Sequence, residues 1–248
     1  MRSGWRHEGR LALVYLVGGA AGLTGSVLYS SFLVAGVVGS RLSPVDSFVS
    51  ELEVPGQPAS GLFRLIDAVC GLVLAVFAVA LWYRLPHDRP ATLGCAFLAA
   101  FGLSGVLDAR YPMPCTPSTD RACQQRIDQV PVLVQLHQPH ALTGSFGVFA
   151  AVMAMLLLSV ARGVCAWSPR LARACVVSWV LLSILGLIEV PLIYAGHGVG
   201  AVERVHILLI STWIAAVAGY LARDGLIGFL RALVPNGGTP IATSGHRG

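Results

Sequence analysis

Long apolar runs broken by short polar segments set the pattern of this chain. No Asp, Glu, Arg or Lys stands between Leu11 and Ser40, and five later stretches are nearly as free of charge. A run of about 18 or more apolar residues is long enough to cross a bilayer as a helix. Six spans follow: Leu11–Val38, Leu62–Tyr83, Ala91–Leu107, Ala141–Ala161, Ala174–Ala195 and Val205–Ala222. They predict an all-α protein, a polytopic transmembrane helix bundle of six spans that occupies residues 1–234 as one domain. The first stretch is long enough to tilt or to run on past the bilayer; the third is short. Residues 235–248, rich in Gly, Thr and Ser, predict a disordered tail.

Arg2, Arg6 and Arg10 precede the first run, as in a secretory signal. A signal's apolar core is only about 7–15 residues long, so the first span is expected to stay. Composition agrees with a membrane protein: 55% of residues are hydrophobic and 12% are charged, against about 25% charged in soluble domains. The formal charge of +5 is spread over the ends of the spans, so it makes no nucleic-acid footprint. All 17 basic residues are arginine, a codon trait of GC-rich bacteria. With the N-terminus inside, eleven of them fall on the inner side, among them Arg84, Arg89, Arg162, Arg170, Arg173 and Arg223. Cytoplasmic loops carry such an excess. The expected placement is therefore the plasma membrane, with both termini cytoplasmic. Most acidic residues and the two long loops, 39–61 and 108–140, then lie outside. Gly18 with Gly22, and Ala215 with Gly219, have the small-xxx-small spacing that lets helices approach closely, and packing within the bundle is the expected use.

Chemistry, if any, is expected at the outer side. Cys115 and Cys123 share the outer loop, where nearby thiols tend to oxidise. A disulfide is expected, with two free thiols or a metal site as the alternatives. Ionisable residues gather in the outer halves of the spans: Arg64 and Asp67, Asp108, His137 and His140, Glu189, Arg204 and His206. Such groups are expensive in a membrane and normally face the bundle interior with a partner. Arg64 and Asp67 could be no more than an i,i+3 ion pair. Glu189 stands among Leu187, Ile188, Val190 and Leu192, so its carboxyl demands a partner. Pro191, two residues on, removes a backbone donor from the same helix.

Asp, Glu and His together suit a divalent metal such as zinc, but no established metal motif occurs and no cofactor is established. There is no phosphate loop, dinucleotide fingerprint, nucleophile elbow or Cys-x-x-Cys pair. His137, His140, His197 and His206 crowd one end, which argues against a transmembrane haem path.

The outer loops resemble a known family. Val49-Ser50-Glu51-Leu52-Glu53-Val54-Pro55-Gly56-Gln57-Pro58, followed by Leu62-Phe63-Arg64, resembles the first loop of the bacterial membrane family called domain of unknown function 998. So does Asp108 ahead of Tyr111-Pro112-Met113-Pro114-Cys115, with a second cysteine at Cys123 and a histidine opening the next helix. The family's usual small residue after Ser-Glu-Leu is here Glu53. The resemblance implies a multi-helix membrane protein and supplies no activity. On the residues alone, Pro55, Gly56 and Pro58 force a turn that could hold Ser50 and Glu51 over the mouth of the bundle.

Three functions remain open at this point. The polar cluster can be structural, or bind a small ligand or lipid. It can serve a membrane-embedded hydrolase acting on lipid, with Asp108, His140 and His206 as metal ligands and Glu189 as the base activating a bound water. Or Asp67 and Glu189 can couple ions to transport. Membrane lipids are the expected partners and nucleic acid is not; the sequence names no protein partner.

Overall fold

The computed structural model describes residues 2–131, 134 and 137–233; the expected tail at 235–248 lies outside them. The described residues are helical, with no strand among them. The α-helices are α1 (Arg2–Tyr29), α2 (Ser60–Arg84), α3 (Arg89–Arg110), α4 (Arg121–Asp128), α5 (Pro139–Val160), α6 (Arg162–Trp167), α7 (Pro169–Ala195) and α8 (Val199–Leu233). Two short 3-10 helices, Ser31–Val34 and Val49–Glu53, lie between α1 and α2. Six of these helices, α1, α2, α3, α5, α7 and α8, are long and apolar enough to cross a membrane.

The six long helices form a ring. Each packs on its neighbours in chain order, and α8 closes on α1. Burial does not drive helices together in lipid, so close packing must. α1 supplies it with glycines. A Cβ on Gly18 would lie 2.1 Å from the Cβ of Ala80 on α2, and one on Gly19 would lie 2.5 Å from the Ala222 nitrogen on α8. Gly22 meets Ala218 and Phe77 in the same way. The expected seam at Ala215 and Gly219 is not used within the bundle. A Cβ on Gly219 would meet nothing within 4 Å, because α8 turns Ala218 and Ala222 toward α1 instead. Between α2 and α3, Gly71 and Gly102 bring the two backbones into contact: a Cβ on Gly71 would lie 2.2 Å from the Gly102 carbonyl oxygen.

Several boundaries differ from the hydropathy reading, each for a local reason. The first helix ends at Tyr29 and not at Val38. Ser30 Oγ reaches Ser211 Oγ on α8 at 2.9 Å, and Phe32 turns inward onto Leu52, Phe63 and Ile207, drawing the chain across the end of the ring. The third span is a full 22 residues. Asp88 caps it by accepting the Ala91 N–H at 2.8 Å, with Pro90 in the first turn. The last helix runs from Val199 to Leu233, 35 residues. α7 continues through Pro191 and stops at Gly196, whose φ of +66° suits glycine.

At the end of the ring where α1 begins and α8 ends, Asp224 on α8 gathers Arg84 of α2 and Trp167 of α6. The Arg84 Nε donates at 2.8 Å and the Trp167 indole N–H at 2.9 Å. Below the opposite, loop-covered end the interior is filled by Leu74, Phe77, Leu81, Leu98, Met155 and Ile214, all fully buried.

Candidate functional site

The loop-covered end of the ring encloses a cavity of about 810 Å³. Two loops form its roof. Leu52, 2% exposed, anchors the 3-10 turn Val49–Glu53 in the cluster with Phe32, Phe63 and Ile207. The second loop is closed by a Cys115–Cys123 disulfide. Glu51 joins the two loops. Its Oε1 accepts the Phe48 N–H at 3.0 Å, and its Oε2 accepts the Ser118 hydroxyl at 2.6 Å. Burial pushes the Glu51 carboxyl above its ordinary range, and the donors of Ser118 and Phe48 oppose this. Ser47 Oγ also meets Ser118 Oγ, at 2.8 Å, and Ser50 donates to the Met113 sulfur at 3.3 Å.

The roof is pinned to the start of α8 as well. Asp46 accepts from the Gly198 N–H at 3.0 Å and meets His197 Nδ1 at 2.9 Å; these contacts, the Gly198 N–H foremost, hold its carboxyl below the usual range. Arg204 donates to the Ser47 and Gly200 carbonyls, both at 2.8 Å. A Cβ at Gly200 would lie 2.2 Å from the Ser47 oxygen, so this seat requires glycine.

Five acids line the cavity: Glu53, Asp67, Asp108, Glu189 and Glu203. Three of them have donors. Asp108 accepts the Thr143 hydroxyl of α5. Glu203 accepts the Val49 N–H at 2.5 Å. Glu189 Oε2 meets His206 Nδ1 at 2.9 Å. Glu53 differs: it is 6% exposed, and its Oε2 has no hydrogen-bond donor. What its carboxyl meets is the carboxyl of Asp67. Two full negative charges about 4 Å apart repel by about 4 kcal/mol at an effective dielectric of about 20. A proton held between the two acids removes that repulsion and supplies the missing donor. Burial first, and Asp67 second, raise the Glu53 carboxyl far above its ordinary range.

Geometry places a hydrogen on Nε2 of His206. The residue is 4% exposed, and its Nε2 lies 3.1 Å from the Leu182 carbonyl oxygen. A carbonyl only accepts, so Nε2 carries a hydrogen. Nδ1 faces Glu189. One more proton must lie between them, giving either imidazolium with carboxylate or neutral imidazole with a protonated acid.

The residues singled out in the sequence are thus partly brought together. Ser50, Asp67, Asp108, His140 and Glu189 line the cavity. His140 Nδ1 lies 3.5 Å from Asp108 Oδ1, without hydrogen-bond geometry. Arg64 makes no ion pair with Asp67 among the described contacts and donates from Nε to the Ala109 carbonyl at 2.9 Å, tying α2 to α3. His137 lies in the turn before α5, its N–H on Val134 O at 3.0 Å, and is not among the lining residues described. Among the described residues no three His, Cys, Asp or Glu side chains gather as metal ligands. Asp108 and His140 approach one another. His206 belongs to a different pair, and neither of its ring nitrogens is free for a metal. Glu53, Thr143 and Ser118 are not among the site residues that the sequence predicts. Glu53 carried a signal in being an acid within an otherwise apolar turn, Leu52-Glu53-Val54. Thr143 and Ser118 carried none.

No curated protein and no solved structure matches this chain. The model of one family, described as a protein of unknown function (DUF998), matches residues 5–220. With nearly the whole helical ring inside that match, the chain belongs to the DUF998 family.

Proposed function

We propose that this protein is a multi-pass protein of a bacterial plasma membrane that holds a small amphiphile, a lipid or a lipid-like molecule, in the cavity at the outer end of its ring. In this reading the termini are cytoplasmic and both roof loops are extracytoplasmic, as the arginine excess at the opposite end favours. The observation that carries it is the character of the cavity. It has the size of a small-molecule site, and its lining combines apolar residues such as Leu74, Phe101 and Ile207 with five carboxyls. Glycines leave room for an occupant: a Cβ on Gly144 would approach nothing nearer than Asp108 Oδ2 at 3.9 Å, and one on Gly186 nothing nearer than His206 Cε1 at 4.0 Å.

The test is binding of 1-decanol to the purified protein in phosphatidylcholine nanodiscs, with empty discs as the blank. One decanol per chain is expected, and Gly144→Leu, which fills space without a backbone clash, should weaken it by about tenfold or more. A correctly folded Gly144→Leu protein that binds decanol like the wild type refutes the reading. Ion-coupled transport is the second reading. It is favoured by the two proton-sharing pairs, Glu53 with Asp67 and Glu189 with His206. Uptake into vesicles driven by a pH gradient separates it from binding alone.

A further inference from the structure

We infer that the Glu53–Asp67 carboxyl pair recognises an organic cation, the ammonium group of an amphiphilic amine, and that the cation takes the place of the proton the two acids share. The inference rests on the cavity reading above and names its ligand class.

The charge pattern selects a cation. The acids lining the cavity outnumber its lining bases, which are Arg126 and His140. Arg64, whose charge reaches Glu53, donates to the Ala109 carbonyl, Arg204 donates to the Ser47 and Gly200 carbonyls, and Arg126 reaches the Cys115 sulfur at 3.7 Å. Asp108, Glu189 and Glu203 already have their donors. Glu53 does not. It is more than nine-tenths buried, lines the cavity, and its Oε2 lacks a donor. An ammonium group brings three N–H donors and a charge, which suits two carboxylates better than one shared proton does. The apolar walls then take the alkyl part.

The exchange balances simply. The empty pair holds one proton and one negative charge. Binding RNH₃⁺ releases that proton to water and leaves two carboxylates around one ammonium, with no covalent bond changed. Other ionisable groups act on the pair or line the same cavity: Tyr29 from α1, Arg64 and Cys70 from α2, Asp108 from α3, Arg126 from α4, His140 from α5, Glu189 from α7 and Glu203 from α8. The origin of the proton must therefore be tested at Glu53 itself.

The experiment measures radiolabelled decylamine binding in phosphatidylcholine nanodiscs between pH 6 and 8, where the amine stays cationic, alongside 1-decanol. For the wild type, amine affinity should rise about tenfold per pH unit, one proton per amine, while decanol binding stays flat. Glu53→Gln has no proton to give, so its amine affinity should lose the pH slope. The double variant Glu53→Gln/Asp67→Asn carries no charge there. It should lose amine affinity by about tenfold or more and keep decanol, which also shows that the cavity is intact. Adding phosphatidylethanolamine to the discs separates the sources: displacement of decylamine identifies a lipid headgroup amine, and no displacement a free amine. Decanol binding without preferential amine binding overturns this inference and leaves the cavity reading standing. A pH-independent amine affinity in the wild type, or a slope that survives Glu53→Gln, also overturns it. Failure of both probes to bind overturns both readings.

Discussion

Removing both members of the Glu189–His206 pair should cost no more than removing the costlier one alone. The pair joins α7 to α8 inside the spans, with Nδ1 and Oε2 2.9 Å apart and the histidine 4% exposed. Glu189→Leu leaves Nδ1 without a partner, and His206→Leu leaves a carboxyl without one. A stranded buried polar group costs about 1–3 kcal/mol. An interhelical hydrogen bond in a membrane contributes about 0.6 kcal/mol on average and about 1.7 at most. Each single leucine variant should therefore lose about 1–3 kcal/mol. Glu189→Gln, whose amide can still donate to Nδ1, should lose less than about 1 kcal/mol. The double leucine variant buries no orphan, so it should be at least as stable as the worse single variant, giving a coupling of about 1–2 kcal/mol. Unfolding in mixed micelles of increasing SDS fraction supplies the free energies. Opening can be followed by thiol labelling, since Cys70, Cys95 and Cys175 are buried and exposed Cys165 can be replaced by Ser. Strictly additive losses would show that the two side chains do not depend on one another and would refute the reasoning.

Thermal stability should fall as pH rises. Glu53 is raised from 4.5 to about 10 on folding, chiefly by burial, so through that window the folded protein keeps a proton the unfolded chain has lost. Stability then declines with pH, and melting curves at pH 5, 7 and 9 should show a shallower decline in Glu53→Gln; an unchanged slope contradicts the assignment. Reducing Cys115–Cys123, which spans eight positions, should destabilise the roof by about 2–3 kcal/mol on the chain-entropy account. Mass-shift labelling with and without reductant checks the bond, and a melting point unmoved by reductant would show that the roof does not need it. Reporter fusions after Arg84, Arg162 and Arg223 should read cytoplasm and a fusion at Ser118 the outside; a cytoplasmic signal at Ser118 reverses the orientation.

The six helices were legible because long uncharged runs have few alternatives in physical terms. Their ends were less so, because charge was read as an end. Asp108 and Arg110 remain helical in α3 since Asp108 finds its donor, Thr143, on α5, a partner 35 positions away that no local pattern announces. Glu189 was legible as a group needing a partner, and His206 as a member of the same outer cluster, because both belong to spans that hydropathy delimits. The pairing of Glu53 with Asp67 was not. It depends on how a 3-10 turn, held by Leu52, folds back over the ring, and loop paths leave no periodic trace in the sequence. The Gly18 and Gly22 seam was readable from spacing, whereas Ala215 and Gly219 have the same spacing and a Cβ at Gly219 meets no neighbour. Spacing states that a close approach is possible; the rotation of the helix decides which face makes it.

The glycine seam on α1 has a consequence for biosynthesis. α1 emerges well before α8, yet Gly19 fits against Ala222 of α8. Until about 200 further residues have been made, one side of α1 lacks its protein neighbour and must be covered by lipid or by the insertion machinery. Ring closure is then a late event, gated by release of α8. A nascent chain arrested before α8 should expose Gly19 and Gly22 to any other small-faced helix nearby, which makes the interval before closure the stage most open to mispairing and to quality control.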